Sequence, residues 1–177
     1  TLAIAIACFG CAHEETVTLP KPEPFIALER DFQDYTSWHE LDVETMEQQG
    51  TTHAAGEARI WVNAEPPSGA TEFPIGTTIV KRAAPDSEGR LRTFAMVKRG
   101  GGYNEKGSPG WEWFELKQRQ DDSTAILWRG PDVRSGDSYR PGPEGHQDDP
   151  LGGCNGCHQM ARKNDFVLNE ALRLSGQ

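Results

Sequence analysis

The chain has 177 residues, room for one compact domain and too few for two comfortable ones. Its 27 acidic and 18 basic side chains give a formal net charge of −9, a surface that repels phosphate backbones and excludes nucleic acid as an expected partner. Hydrophobic residues make up only 36% of the chain. That is low for a chain of this size, so the core is either modest or supplemented by a cofactor, and no apolar run reaches the about 18 residues of a membrane-spanning helix.

Residues 1–11 (TLAIAIACFGC) are apolar and rich in small residues, and the chain turns polar at His13, Glu14 and Glu15. This resembles the later part of a signal peptide's hydrophobic region, with a lipoprotein-type cleavage site. Cys8 and Cys11 each follow a small residue; Cys11, preceded by Gly10, is the favoured site of a lipid anchor, and plain signal cleavage without lipid is the alternative. A Cys8/Cys11 redox or zinc pair fits less well, because its surroundings read as export signal. Residues 12–24 form a linker, Pro-rich from Val17 to Pro24, and 25–177 form the domain. Export places that domain in the periplasm, free or membrane-anchored.

Within the domain, Phe25, Leu28, Phe32, Tyr35, Trp38 and Leu41 have mixed helical spacing, which predicts one or two short helices. From Glu57 to Asn63 the chain alternates, with Ala58, Ile60 and Val62 on one face and Arg59, Trp61 and Asn63 on the other: a strand. Thr77 to Arg82 predicts a second strand, with Ile79 and Lys81 sharing a face, and Leu91 to Arg99 a third. A Gly-rich loop follows from Gly100 to Gly110, then a strand from Trp111 to Lys117 and a short one from Ala125 to Trp128. Strands joined by short turns favour an antiparallel sheet. Residues 129–153 are rich in Gly, Pro and Asp and have no period, a functional or mobile loop. Apolar residues between Asn164 and Leu174 predict a terminal helix. The expected class is α+β, a mostly antiparallel β-sheet with flanking helices.

The sharpest signal is Cys154-Asn155-Gly156-Cys157-His158, the CxxCH pattern of c-type haem attachment. Two thiols three residues apart, on a turn leading into a helix, reach both vinyl groups of one porphyrin, and the adjacent His158 supplies a nitrogen to the iron. A Cys154–Cys157 disulfide would be a tight, oxidoreductase-like loop. A zinc site would need two further ligands, and residues 12–177 hold no second Cys pair. Both fit less well than one covalent haem c.

With this motif near the C-terminus and strands before it, the chain resembles the cytochrome P-460 family, which includes cytochrome c-prime-beta. The matching segments are Glu57–Asn63, Phe73–Lys81, Ala95–Lys98, Gly110–Phe114 and Cys154–His158 followed by Asp165-Phe166-Val167. The resemblance spans about residues 25–174 and lies in their order and spacing. It implies an antiparallel sheet ending in a CxxCH haem-attachment helix, a homodimer, and an iron held by His158 with an open distal side.

The resemblance also assigns roles. Lys81 matches a lysine that in P-460 members bonds to a meso carbon of the porphyrin and supports hydroxylamine oxidation; an ordinary snorkelling lysine is the other reading. Arg59 matches a family arginine that would donate to a haem propionate or a distal ligand, and the alternative is an outward arginine with a surface partner. Phe94, Met96, Trp113 and Phe114 are candidates to line the pocket, or are ordinary core. Oxidative members need a distal carboxylate to accept protons. Gln159 and Met160 follow the haem histidine where some relatives have an acid, which leaves Asp165, Asp148 and Asp149 as substitutes. His39, His53, His146 and Met96 are candidates for a sixth ligand, although packed or solvated states suit the histidines better.

Three functions fit: a haem oxidoreductase acting on hydroxylamine or nitric oxide and passing electrons to a periplasmic redox partner; a module binding nitric oxide or another diatomic gas; and a simple electron carrier with a filled sixth position.

Overall fold

The structure, a computed structural model, describes residues 22–41, 45–46, 56–85, 89, 91–131 and 153–176. Cys8, Cys11, His53, His146, Asp148, Asp149 and most of the linker lie outside these residues.

Among the described residues, six strands form one antiparallel sheet: β1 (His39–Leu41), β4 (Arg59–Val62), β5 (Thr78–Arg82), β6 (Thr93–Lys98), β7 (Trp111–Gln118) and β8 (Thr124–Gly130), in that spatial order. From β4 to β8 it is a simple meander. A separate pair joins β2 (Thr45–Met46) to β3 (Gly56–Glu57). The strand expected over 57–63 is therefore two pieces that break at Ala58, because β3 pairs with β2 while β4 pairs with β1 and β5.

Alternation along each strand gives the sheet two buried faces. One carries Ile60, Val62, Ile79, Met96, Trp111, Trp113 and Trp128, covered by the C-terminal segment through Val167, Leu172 and Leu174. The other carries Trp61, Val80, Ala95, Val97, Phe114 and Leu116, covered by the N-terminal segment through Ala27, Phe32 and Tyr35. On this second face the buried Glu112 carboxylate is held by Arg99 at 3.1 Å and Arg129 at 2.8 Å, so the charge is paired where water is excluded.

The short helices expected over 25–41 are two 3-10 helices, Glu29–Phe32 and Tyr35–Ser37, after which the chain enters β1. The first starts where the Asp31 carboxylate accepts the Leu28 N–H at 2.7 Å. Its side chains then serve the sheet: Gln33 exchanges two hydrogen bonds with the Thr124 backbone and Glu29 accepts the Ile126 N–H. These contacts occupy backbone groups that edge strand β8 would otherwise offer to another strand.

The terminal helix expected over 164–174 does not form. The chain runs as a 3-10 helix at Gln159–Asn164, turns, and makes one more short 3-10 helix at Glu170–Leu172. The break is at Asp165 (φ 48°) and Phe166 (φ 66°), two consecutive left-handed residues that no helix accommodates. No helix of the described residues is long and apolar enough to cross a membrane.

Candidate functional site

The CxxCH motif forms the α-helix α1 (Gly153–His158). Six residues are too few to hold a helix alone, so its stability comes from outside. Gly153 opens it at φ 62°, a left-handed conformation that favours glycine. Asn155 supplies the anchor. Its Oδ1 accepts from Trp113 Nε1 at 3.0 Å, the Ser108 N–H at 3.1 Å and Asn104 Nδ2 at 2.9 Å. Its Nδ2 donates to the Asn104 Oδ1 and to the Pro131 carbonyl. Gln159 adds a bond to the Gly107 carbonyl at 2.6 Å. The Gly-rich loop therefore grips the motif, and a Cβ at Gly107 would have to displace the Asn155 amide.

Positions i, i+3 and i+4 share one side of a helix, so α1 gathers Cys154, Cys157 and His158 together. Both cysteines are half-buried and neither is in a disulfide. Cys154 and Phe166 pack against the apolar face that carries Met96, Trp113 and Trp128. The Trp113 and His158 rings lie 4.6 Å apart, centroid to centroid, tilted by 50°.

His158 Nδ1 lies 2.6 Å from the Phe166 carbonyl oxygen. A carbonyl can only accept, so Nδ1 carries the proton and Nε2 keeps the lone pair. Burial pushes the imidazole pKa down to about 4; the Phe166 carbonyl opposes this and the positive charge of Lys81 adds to it. The ring is thus neutral at pH 7, the form that binds a metal, and Lys81 lies close enough for its charge to be felt at His158.

Cross-strand register sets the rest of the wall. Val62, Ile79, Met96 and Trp113 line up across β4 to β7, and beside them Ile60, Lys81, Phe94 and Glu115 make a second row. Of the pocket-lining candidates, Phe94, Met96 and Trp113 are on the face of α1, with Lys81. Phe114 is on the opposite face, against Phe32.

Arg59 also goes to that opposite face. It forms a bidentate pair with Glu40, both bonds 2.6 Å, and lies over the Trp61 ring at 4.9 Å. This is the surface-partner arrangement, and strand parity places Arg59 on the face away from α1. Asp165 is near His158 but engaged, with both carboxylate oxygens 2.7 Å from Lys98 Nζ and one accepting the Phe73 N–H. His39 is exposed beside Glu65 at 3.5 Å, and Met96 is buried in the wall.

Glu115 escaped the sequence reading. It is buried, shares the face of Lys81 and Trp113, and its Oε1 meets Arg92 Nε at 3.1 Å. Its signal was the parity of the strand, since a residue two beyond Trp113 faces the same way. Asn155 escaped too, because the intervening positions of a CxxCH motif carry no sequence requirement.

The donors fit a c-type haem: two thiols outside any disulfide, a neutral imidazole with Nε2 as its donor, and an apolar wall. Among the described residues, no group of three or more His, Cys, Asp or Glu is arranged to hold a bare metal ion. No family model matches the chain, and comparison with curated proteins and solved structures gives no match. The fold is α+β with an antiparallel sheet; any narrower kinship rests on the residues themselves.

Proposed function

We propose that this chain is a mono-haem c-type cytochrome of the P-460 type, working outside the cytoplasm on hydroxylamine or nitric oxide. Cys154 and Cys157 would hold haem c through thioethers and His158 Nε2 would ligate its iron. The observation that carries the reading is the His158 Nδ1–H bond to the Phe166 carbonyl, made by a histidine that shares a helix face with two thiols. A haem ligand needs its donor nitrogen unprotonated, and this bond keeps the proton on Nδ1 and leaves Nε2 for the iron. When bound, haem supplies a redox-active iron able to take electrons from a small nitrogen substrate.

The protein's own residues divide the remaining work. Ile79, Met96, Trp113 and Trp128 keep water from the site. The positive charge of Lys81 is felt at His158, and Lys81 would be the residue placed beside the porphyrin. Glu115, ion-paired with Arg92 and two strands from Lys81, or about 10 Å by strand spacing, would be the carboxylate to receive protons from hydroxylamine. The electrons would go to a periplasmic redox partner. The family's homodimer and a lipid anchor at Cys11 belong to the same proposal.

The largely apolar wall also favours a second reading, capture of nitric oxide or another diatomic gas without turnover. The optical spectrum of the reduced protein, produced with c-type maturation machinery, separates the readings. A red-shifted, broadened Soret band supports the oxidoreductase, an ordinary five-coordinate high-spin spectrum supports the gas-binding protein, and a six-coordinate low-spin spectrum refutes both.

A further inference from the structure

The carbonyl that orients His158 belongs to a strained residue. Phe166 has φ 66° and follows Asp165 at φ 48°. Left-handed geometry is costly for any side chain and rare for a bulky one, so two such residues in succession persist only if their surroundings impose them. The surroundings here are specific. Lys98 Nζ reaches both Asp165 carboxylate oxygens at 2.7 Å, and the pair is almost wholly buried, the side chains 7% and 10% exposed. The Phe73 N–H donates to Asp165 Oδ2 at 2.8 Å, and the Trp111 indole N–H donates to the Asp165 main-chain carbonyl at 2.7 Å. The Lys98 ammonium also donates to the Pro109 carbonyl at 3.3 Å and lies over the Trp111 ring at 5.2 Å. Asp165 is thus fixed at side chain and backbone together, and the next carbonyl along the chain is the acceptor for His158.

We propose that Lys98 and Asp165 are a positioning pair: their buried ion pair holds the left-handed turn that aims the Phe166 carbonyl at His158 Nδ1, and so decides which imidazole nitrogen is left to bind a metal. The His158 side chain bonds to the Phe166 carbonyl and to neither member of the pair, so both act through the backbone of residues 165–166. The inference deepens the cytochrome reading and rests on it for its purpose, but the tautomer it assigns is a property of the polypeptide alone.

The test is long-range proton–nitrogen NMR on the full-length chain labelled in its histidines and produced without haem, with His158 assigned by His158→Gln. The wild type is expected to show His158 as the Nδ1–H tautomer. Lys98→Met and Asp165→Asn are expected to lose that preference and show Nε2–H as the main form, while Lys98→Arg, which keeps the charge, retains it. A wild type with Nε2–H dominant overturns the proposal, even if no variant folds. So does a folded Lys98→Met chain with the wild-type tautomer. In matured protein the iron–imidazole stretch in resonance Raman is the parallel readout: a lower frequency in Lys98→Met supports the proposal, and an unchanged one contradicts it. A chain that never acquires haem but keeps its Nδ1–H tautomer sinks the cytochrome reading and leaves the positioning pair standing.

Discussion

Replacing Asn155 by alanine removes the anchor of α1 without touching a cysteine or the histidine. Five hydrogen bonds disappear, to Asn104 twice, Ser108, Trp113 and Pro131. The net value of each is modest, but two donors are stranded in places water does not reach: Ser108 is fully buried and Trp113 nearly so. A buried donor left without a partner costs about 1–3 kcal/mol. Two of them amount to about 4 kcal/mol, which for a domain of this size lowers Tm by roughly 8–16 °C. Thermal unfolding followed by tryptophan fluorescence measures this directly, because Trp113 reports on the lost bond. Asn155→Asp is the control. It keeps the acceptor for Trp113, Ser108 and Asn104, sets a carboxylate oxygen against the Pro131 carbonyl in place of a donor, and is expected to fall by less than Asn155→Ala only if the three accepted bonds dominate. An Asn155→Ala protein melting within about 2 °C of wild type refutes the idea that this side chain holds the motif.

Other expectations concern chemistry. Lys81→Ala in the matured protein is expected to convert a red-shifted spectrum into an ordinary one, and an identical spectrum rules out a bond from Lys81 to the porphyrin. Glu115→Gln is expected to lower hydroxylamine turnover by about 100-fold, the usual contribution of a positioned acid or base, with nitric oxide binding preserved; turnover within a few-fold of wild type removes Glu115 from the proton path. Tyr103 is expected to ionise late. Burial and the neighbouring Glu112 charge push its pKa up to about 12. A folded-state pKa above the unfolded value means this contribution to stability is intact below about pH 10 and is lost as pH climbs from there through 12. Absorbance at about 295 nm during an alkaline titration should show one phenol lagging the others, with a smaller lag in Glu112→Gln because burial, the larger cause, remains.

The sheet was legible because its strands alternate. Ile60 and Val62 against Trp61, and Trp113 against Phe114, separate cleanly onto two faces, and both faces are buried. The 3-10 geometry near residues 29–37 was not legible, because Glu29 and Gln33 are committed to the backbone of a strand about 90 residues away. The missing terminal helix has a similar cause. Phe166, Val167, Leu172 and Leu174 are apolar enough to suggest a helix, but Lys98, Phe73 and Trp111 hold Asp165 in a turn that only the folded sheet can impose. At the candidate site, Cys154, Cys157 and His158 could be named from five letters of sequence. The residues around His158, namely Phe73, Lys98, Trp111 and Asp165–Phe166, come from four separate parts of the chain and became visible only together.

The most direct measurement is the mass and pyridine haemochrome spectrum of the full-length chain produced alongside c-type cytochrome maturation machinery. One haem per chain, retained through denaturation and lost in a Cys154→Ala/Cys157→Ala double variant, is the expected result. A wild-type chain of bare polypeptide mass, with the thiols of Cys154 and Cys157 open to alkylation, contradicts the account.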